Sequence, residues 1–283
     1  MDKPSLFRNN GFAFFVLLIL SLLVLAGLYT DWLWFDSLGY LSVFKTILFS
    51  KLGLGIATFI IFLVALLLNF MVLRKNLQSQ IQKMYMLVIL VISLVAGFLS
   101  SSHWFTVLRF LNYTSFGFVD PVFKNDISFY IFILPFYNLI LSALLFLLIL
   151  LLVMTALAYL LSTKPKKTIK SEPATPDIPF GFQPNFQQIK VEVPKKGRTH
   201  LAIFGGFLLI LFAAFFYLKR YSILFSPRGA VFGAGFADVN VFLPLYTILA
   251  LITIIVAFIT FAYAYLQNIK LLVGGIAVVL FVY

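Results

Sequence analysis

The chain has 283 residues, of which 63% are hydrophobic and 11% charged, with a formal net charge of +12 and no cysteine. A soluble domain carries about 45–50% apolar and about 25% charged residues, so this composition, with mean hydropathy +1.08, belongs to the membrane class. Disulfides and thiolate chemistry are excluded, and the positive charge reads as a topology signal, with no nucleic-acid partner expected.

Met1 to Asn10 is short and polar, with Lys3 and Arg8. Phe12 to Leu28 follows without a charge and is read as a retained first helix. A cleaved signal peptide is the competing reading, but Ala26-Gly27-Leu28 is a poor cleavage site. Tyr29 to Thr46, YTDWLWFDSLGYLSVFKT, sets Asp31 and Asp36 among Trp32, Trp34, Phe35 and Tyr40. It reads as an interfacial aromatic belt, because such rings are apolar at one end and hydrogen-bonding at the other. Helix two covers Ile47 to Leu73, with Lys51 snorkelling and with Gly53 and Gly55 as sites of close helix contact. Asn69 is a polar exception inside it, read as a helix–helix contact.

Arg74 to Lys83 is a basic turn, and Met84 to Leu99 is helix three. His103 to Leu139 is the longest aromatic-rich interruption, and it carries Arg109, Asp120, Lys124 and Asp126. Asp120-Pro121 is a turn signal, and Asn125 or Asp126 caps a helix beginning at Ile127. From Ile127 to Leu161 would be roughly 52 Å of helix against a hydrocarbon core of about 30 Å. Pro135 is therefore the expected break, with an interfacial piece before it and helix four from Phe136 to Leu161.

Residues 162–200 form a basic, Pro-rich linker, expected to be mostly disordered and cytoplasmic, with a weak strand-like alternation at 189–193. Leu201 to Leu218 is helix five. The stretch 219–247 contains Lys219, Arg220 and Arg228, a turn at Ser226-Pro227-Arg228-Gly229, and small residues at 233–235 that favour packing over phosphate binding. Ile248 to Leu266 is helix six. Leu271 to Tyr283 is too short to span, and is read as the start of a seventh helix in a fragment of something longer.

The fold class is thus all-α: a polytopic bundle of six full helices and a truncated seventh, with helical or irregular outer segments at 29–46, 103–135 and 219–247. With the N-terminus inside, inner segments hold fourteen of the 21 Lys and Arg, which favours that orientation and puts the aromatic loops outside. Two outer segments share a pattern. Asp126-Ile127-Ser128 precedes Leu134-Pro135, and Asp238-Val239-Asn240 precedes Leu243-Pro244. Each Asp is read as a cap and each Pro as a bend, although the spacing differs.

The runs YTDWLWFDSLGYLSVFKT, FGFVDPVFKNDISFYIFILPFY and SPRGAVFGAGFADVNVFLP, in that order, resemble the uncharacterised protein family UPF0182 of prokaryotic multi-pass membrane proteins. The resemblance covers nearly the whole chain. It implies about seven N-terminal helices in the cell membrane, followed by a large extracytoplasmic region, and it supplies no catalytic residue.

No reaction is readable. His103 and His200 lie far apart, no P-loop occurs, and no catalytic, cofactor or metal site is assigned. The first reading is a membrane anchor and platform for a downstream extracytoplasmic domain of the same polypeptide. Arg109, Lys124, Lys219, Arg220 and Arg228 contact lipid headgroups or that domain. Asp120, Pro121, Asp126, Pro135, Asp238 and Pro244 serve as caps and bends. The alternatives are a transporter or channel for an apolar or amphipathic solute, and an enzyme on lipid-linked substrates using Asp120, Asp126 or Asp238. Capping and salt bridging account for those aspartates more simply.

Overall fold

A computed structural model describes residues 6–162, 194–227, 229, 232–268 and 274. Residues 163–193 of the linker expected at 162–200, Arg228 and the seventh helix expected at 271–283 lie outside the described residues, apart from residue 274; residues 195–200 of that linker are helical, because the helix expected from Leu201 already begins at Lys195. Seven α-helices follow in order: α1 Leu6–Ser37, α2 Leu41–Leu73, α3 Ser79–Ser101, α4 Trp104–Leu111, α5 Leu134–Ser162, α6 Lys195–Lys219 and α7 Leu243–Leu266. Among the described residues, six helical spans are long and apolar enough to cross a membrane. There is no strand among them, only an isolated antiparallel bridge between Val119 and Asp126.

The first belt is helical, not a loop. No Gly or Pro interrupts Tyr29 to Ser37, so α1 runs on to Ser37. It stops where Gly39 takes φ +75°. The Tyr40 amide donates to Phe35 O and the Gly39 amide to Asp36 O, which is a Schellman stop with glycine in its left-handed position. Only three residues then separate α1 from α2. α2 has 33 residues, or roughly 50 Å at 1.5 Å per residue, so it tilts in the bilayer or projects from it.

Alternating helix directions bring residues 38–40, 102–128, 220–227 and 232–237 to one end, here the aromatic end. Residues 74–78 and Gln267 lie at the other. Helix α2 packs on α3, α5 on α6 and α6 on α7, and the two groups meet where α2 touches α5. Phe62, Leu66, Phe70 and Leu73 recur at helical spacing on α2 and meet Ile89 of α3 and Leu151, Met154 and Ala158 of α5. Asn69 and Thr155 close the same seam: the amide Nδ2 donates to Thr155 Oγ1 at 3.0 Å, and both side chains are buried. A polar pair here satisfies groups that hydrocarbon cannot.

Small residues decide how closely α2 and α3 approach. A methyl on Gly97 would stand 2.7 Å from the Gly55 carbonyl oxygen, whereas nothing lies within 4 Å of a methyl on Gly53. Gly55 is thus a contact glycine and Gly53 is not.

Pro135 does not break the chain, which winds continuously from Ile127 to Ser162. The physical reason is a π turn at Phe129–Ile133, where the Leu134 amide donates to Phe129 O, five residues back. The wider turn takes up a ring that would clash in an α-helix. The same device recurs at Asp238–Phe242, directly before Leu243-Pro244.

Gly97→Ala forces two backbones apart and is expected to destabilise the bundle by about 1–3 kcal/mol. Gly53→Ala, in open space two residues before Gly55 on α2, is expected to stabilise it by about 0.5–1 kcal/mol. Thermal unfolding in detergent measures both, and equal effects would contradict the Gly55–Gly97 contact.

Candidate functional site

The aromatic end is built around two aspartates. Asp120 Oδ1 accepts from the Val122 and Phe123 amides at 2.9 and 2.6 Å. Its Oδ2 accepts from the Asn125 amide at 3.0 Å and from the Tyr130 hydroxyl at 2.7 Å. Pro121 begins the turn so pinned, and Lys124 closes it with φ +60°, its amide donating to Asp120 O. Asp126 Oδ2 accepts from the Ser115 hydroxyl at 2.5 Å and the Gly117 amide at 2.8 Å, and Oδ1 from the Phe116 and Ser128 amides. Each carboxylate oxygen therefore holds two donors, which saturates its in-plane lone pairs. The aspartates organise loop backbone, and neither offers a free oxygen for acid–base or metal chemistry. No group of three potential metal ligands occurs among the described residues.

The same bonds set the charge state. Burial of Asp120 opposes ionisation, but Tyr130 and the three amides outweigh it and hold the carboxyl below its usual range. The Ser115 hydroxyl, then Ser128 and the Phe116 amide, hold Asp126 well below that range.

An aromatic cluster joins this loop to the turn after α6. Tyr221 packs tilted against Phe123 at 4.7 Å and edge-on against Phe129 at 5.0 Å between ring centroids. Arg220 lies over Tyr217 at 4.9 Å and near Phe123 at 6.0 Å, with its Nε buried and unbonded. Arg109 donates to the Ile131 carbonyl, the group that Pro135 cannot reach, and sits beside Phe105 and Phe132. Lys124 and Lys219 stand exposed. Asp238 is buried and accepts from the Gly235 amide at 3.1 Å, so it reaches back into the preceding loop while Pro244 follows in the first turn of α7. Phe118 and Phe236 project from this frame at 71% and 84% exposure.

Asp120, Asp126, Arg109, Lys124 and Arg220 thus share one knot, while Asp238 belongs to the neighbouring loop. Tyr130 and Tyr221, central to the knot, carry no sequence signal beyond being two tyrosines among many. Asn138, not singled out from the sequence, lines two clefts beside α5; its signal is a lone amide three residues after Pro135 in an apolar run.

Both carboxyl pKa values are lowered on folding. The stability they contribute is therefore complete above the ordinary carboxylate pKa near 3.8 and is lost as pH falls through the folded values. Amide exchange at Gly117, Val122 and Asn125, corrected for intrinsic rates, should show constant protection from roughly pH 7 to pH 5. Decline that sets in near pH 6 would contradict this. Asp120→Ala should speed exchange at Phe123 and Asn125 by about tenfold or more, and Asp126→Ala should do so at Gly117.

Residues 10–283 match the model of an uncharacterised protein family, UPF0182. A UPF0182 protein of Clostridium tetani is 34% identical over 240 residues, 82% of this chain and 26% of its own. One from Pelotomaculum thermopropionicum is 32% identical, covering 99% of this chain and 32% of its own. One from Saccharopolyspora erythraea is 33% identical, covering 91% and 27%. The chain spans about a quarter to a third of the length of these curated relatives. No solved structure matches it. With a family model matched along nearly its whole length, the chain belongs to the uncharacterised protein family UPF0182.

Proposed function

We propose that this chain is the membrane anchor of a longer polypeptide, and that its aromatic end is the platform on which a large domain outside the bilayer rests. One observation carries the reading. The loop at 113–128 is held by eight hydrogen bonds to two carboxylates and presents Phe118 outward, with Phe236 exposed on the neighbouring loop. A purely interfacial belt needs aromatic rings but no such fixed backbone. A docking surface benefits from one, because less freedom is lost on contact. The much greater length of the relatives agrees with a further domain. The distribution of Lys and Arg favours an extracytoplasmic position for this end.

A photo-crosslinking phenylalanine analogue at Phe118 or Phe236, in whole cells expressing the natural reading frame, tests the platform. The expected products are crosslinks into sequence of the same polypeptide outside these 283 residues. A control at Phe98, which is 79% exposed on α3, should give lipid adducts. Lipid adducts alone at all three positions would overturn the proposal.

A further inference from the structure

Two clefts flank α5 near the aromatic end. The first, about 540 Å³, lies among α2, α3, α4 and α5. The second, about 430 Å³, lies between α5 and α6 with the turn that follows α6. They share Pro135, Asn138 and Ser142. Residues so spaced fall on one stripe of a helix, so the stripe is a ridge between two troughs.

The ridge sets a carboxamide and a hydroxyl between two mainly apolar troughs. Asn138 and Ser142 are exposed, and among the described residues neither side chain has a hydrogen-bond partner. Other helix hydroxyls turn back on their own carbonyls: Ser93 to Ile89, Thr253 to Leu249 and Thr260 to Val256. A carboxamide facing hydrocarbon without a partner is costly, so the ridge calls for an occupant that carries acceptors at its depth. That depth is roughly 6–12 Å along the helix from Leu134, just below an interface. The troughs are mainly apolar, with Phe62 and Phe146 in the first and Leu141 and Phe215 in the second; Ser100, His103 and Thr106 line the first and Ser222 the second towards the aromatic end. Lys219 lines the second cleft at its aromatic end, and among the described residues no Asp or Glu lines either cleft. The nearby Asp120 carboxylate is screened by the Tyr130 hydroxyl that donates to it.

Independently of the platform reading, we propose that this ridge binds one anionic glycerophospholipid. Its ester carbonyls accept from the Asn138 amide and the Ser142 hydroxyl. One acyl chain lies in each trough, and its phosphate meets the Lys219 ammonium. Two chains diverging from a hydrogen-bonding junction below an anion is the chemistry that the two troughs, the ridge and the lysine complement together.

Native mass spectrometry of the intact chain in mild detergent tests it, with phosphatidylglycerol, phosphatidylcholine, lysophosphatidylglycerol and inorganic phosphate as probes. One phosphatidylglycerol should be retained, about fivefold in preference to phosphatidylcholine. The single-chain lipid should bind at least about tenfold more weakly. Asn138→Leu with Ser142→Ala should lower retention about tenfold, and both positions are exposed, so the packed seams are untouched. Lys219→Gln should remove the preference over phosphatidylcholine while leaving phosphatidylcholine binding unchanged. Ala143→Phe, which fills the first trough without altering the ridge, gives a second route to the same loss. Equal retention of all lipids, or wild-type retention by the variants, would mean annular lipid only and overturn the proposal. Equal binding of the single-chain lipid would also overturn it, as would binding of phosphate alone.

Discussion

A bilayer supplies no water to backbone groups, so each carbonyl and amide within it must find a partner in the protein. Proline at the head of a membrane helix puts that rule under strain, because it removes a donor and crowds the carbonyl four residues back. Here that carbonyl belongs to Ile131, and the Arg109 guanidinium takes it. Arg109 comes from α4, which lies across the aromatic end and meets α5 and its π turn. One missing hydrogen bond therefore fixes where α4 sits, and α4 sets where the loop between α4 and α5 begins. The two aspartates then fold that loop upon itself, and Tyr130 returns it to the turn that started the sequence of constraints.

The second proline repeats the π turn, and among the described residues no arginine caps it. At Pro244 the turn Asp238–Phe242 again precedes a Leu-Pro pair. The aspartates serve different ends. Asp126 lies ahead of its π turn and pins the loop before it, whereas Asp238 begins its turn and reaches back to Gly235. The three-residue difference in spacing between the two motifs is this difference in position. What recurs is the solution to a proline at a helix head, with a separate loop fitted to each.

Much of the architecture was legible in the residues. Six apolar runs became six long spans, and Asn69 in α2 met Thr155 across a buried seam. Helix ends were less legible for specific reasons. Tyr29 to Ser37 is rich in interfacial rings, and that composition hides an unbroken helix whose only stop is Gly39. Pro135 signals a break in water-soluble logic, yet a π turn absorbs it at the cost of one extra residue per turn. Gly53 and Gly55 look alike in sequence, and only the path of α3 separates the one in contact from the one in open space. The knot of Asp120 and Asp126 rests in part on Ser115, Phe116 and Tyr130, ten or eleven residues away, and on Tyr221, far along the chain, which local pattern does not specify.

Helix α1 stands apart in this scheme. Among the described residues its apolar span is unburied, and it meets α2 across their shared turn. Lipid tails are as apolar as leucine, so hydrocarbon alone gives such a helix no reason to pack. The cooperative unit of unfolding is accordingly expected to begin at α2, with α1 held by its own insertion energy. The bundle therefore has two stabilities in place of one: a concerted one shared by the seams, and a solitary one set by the length and hydropathy of a single span.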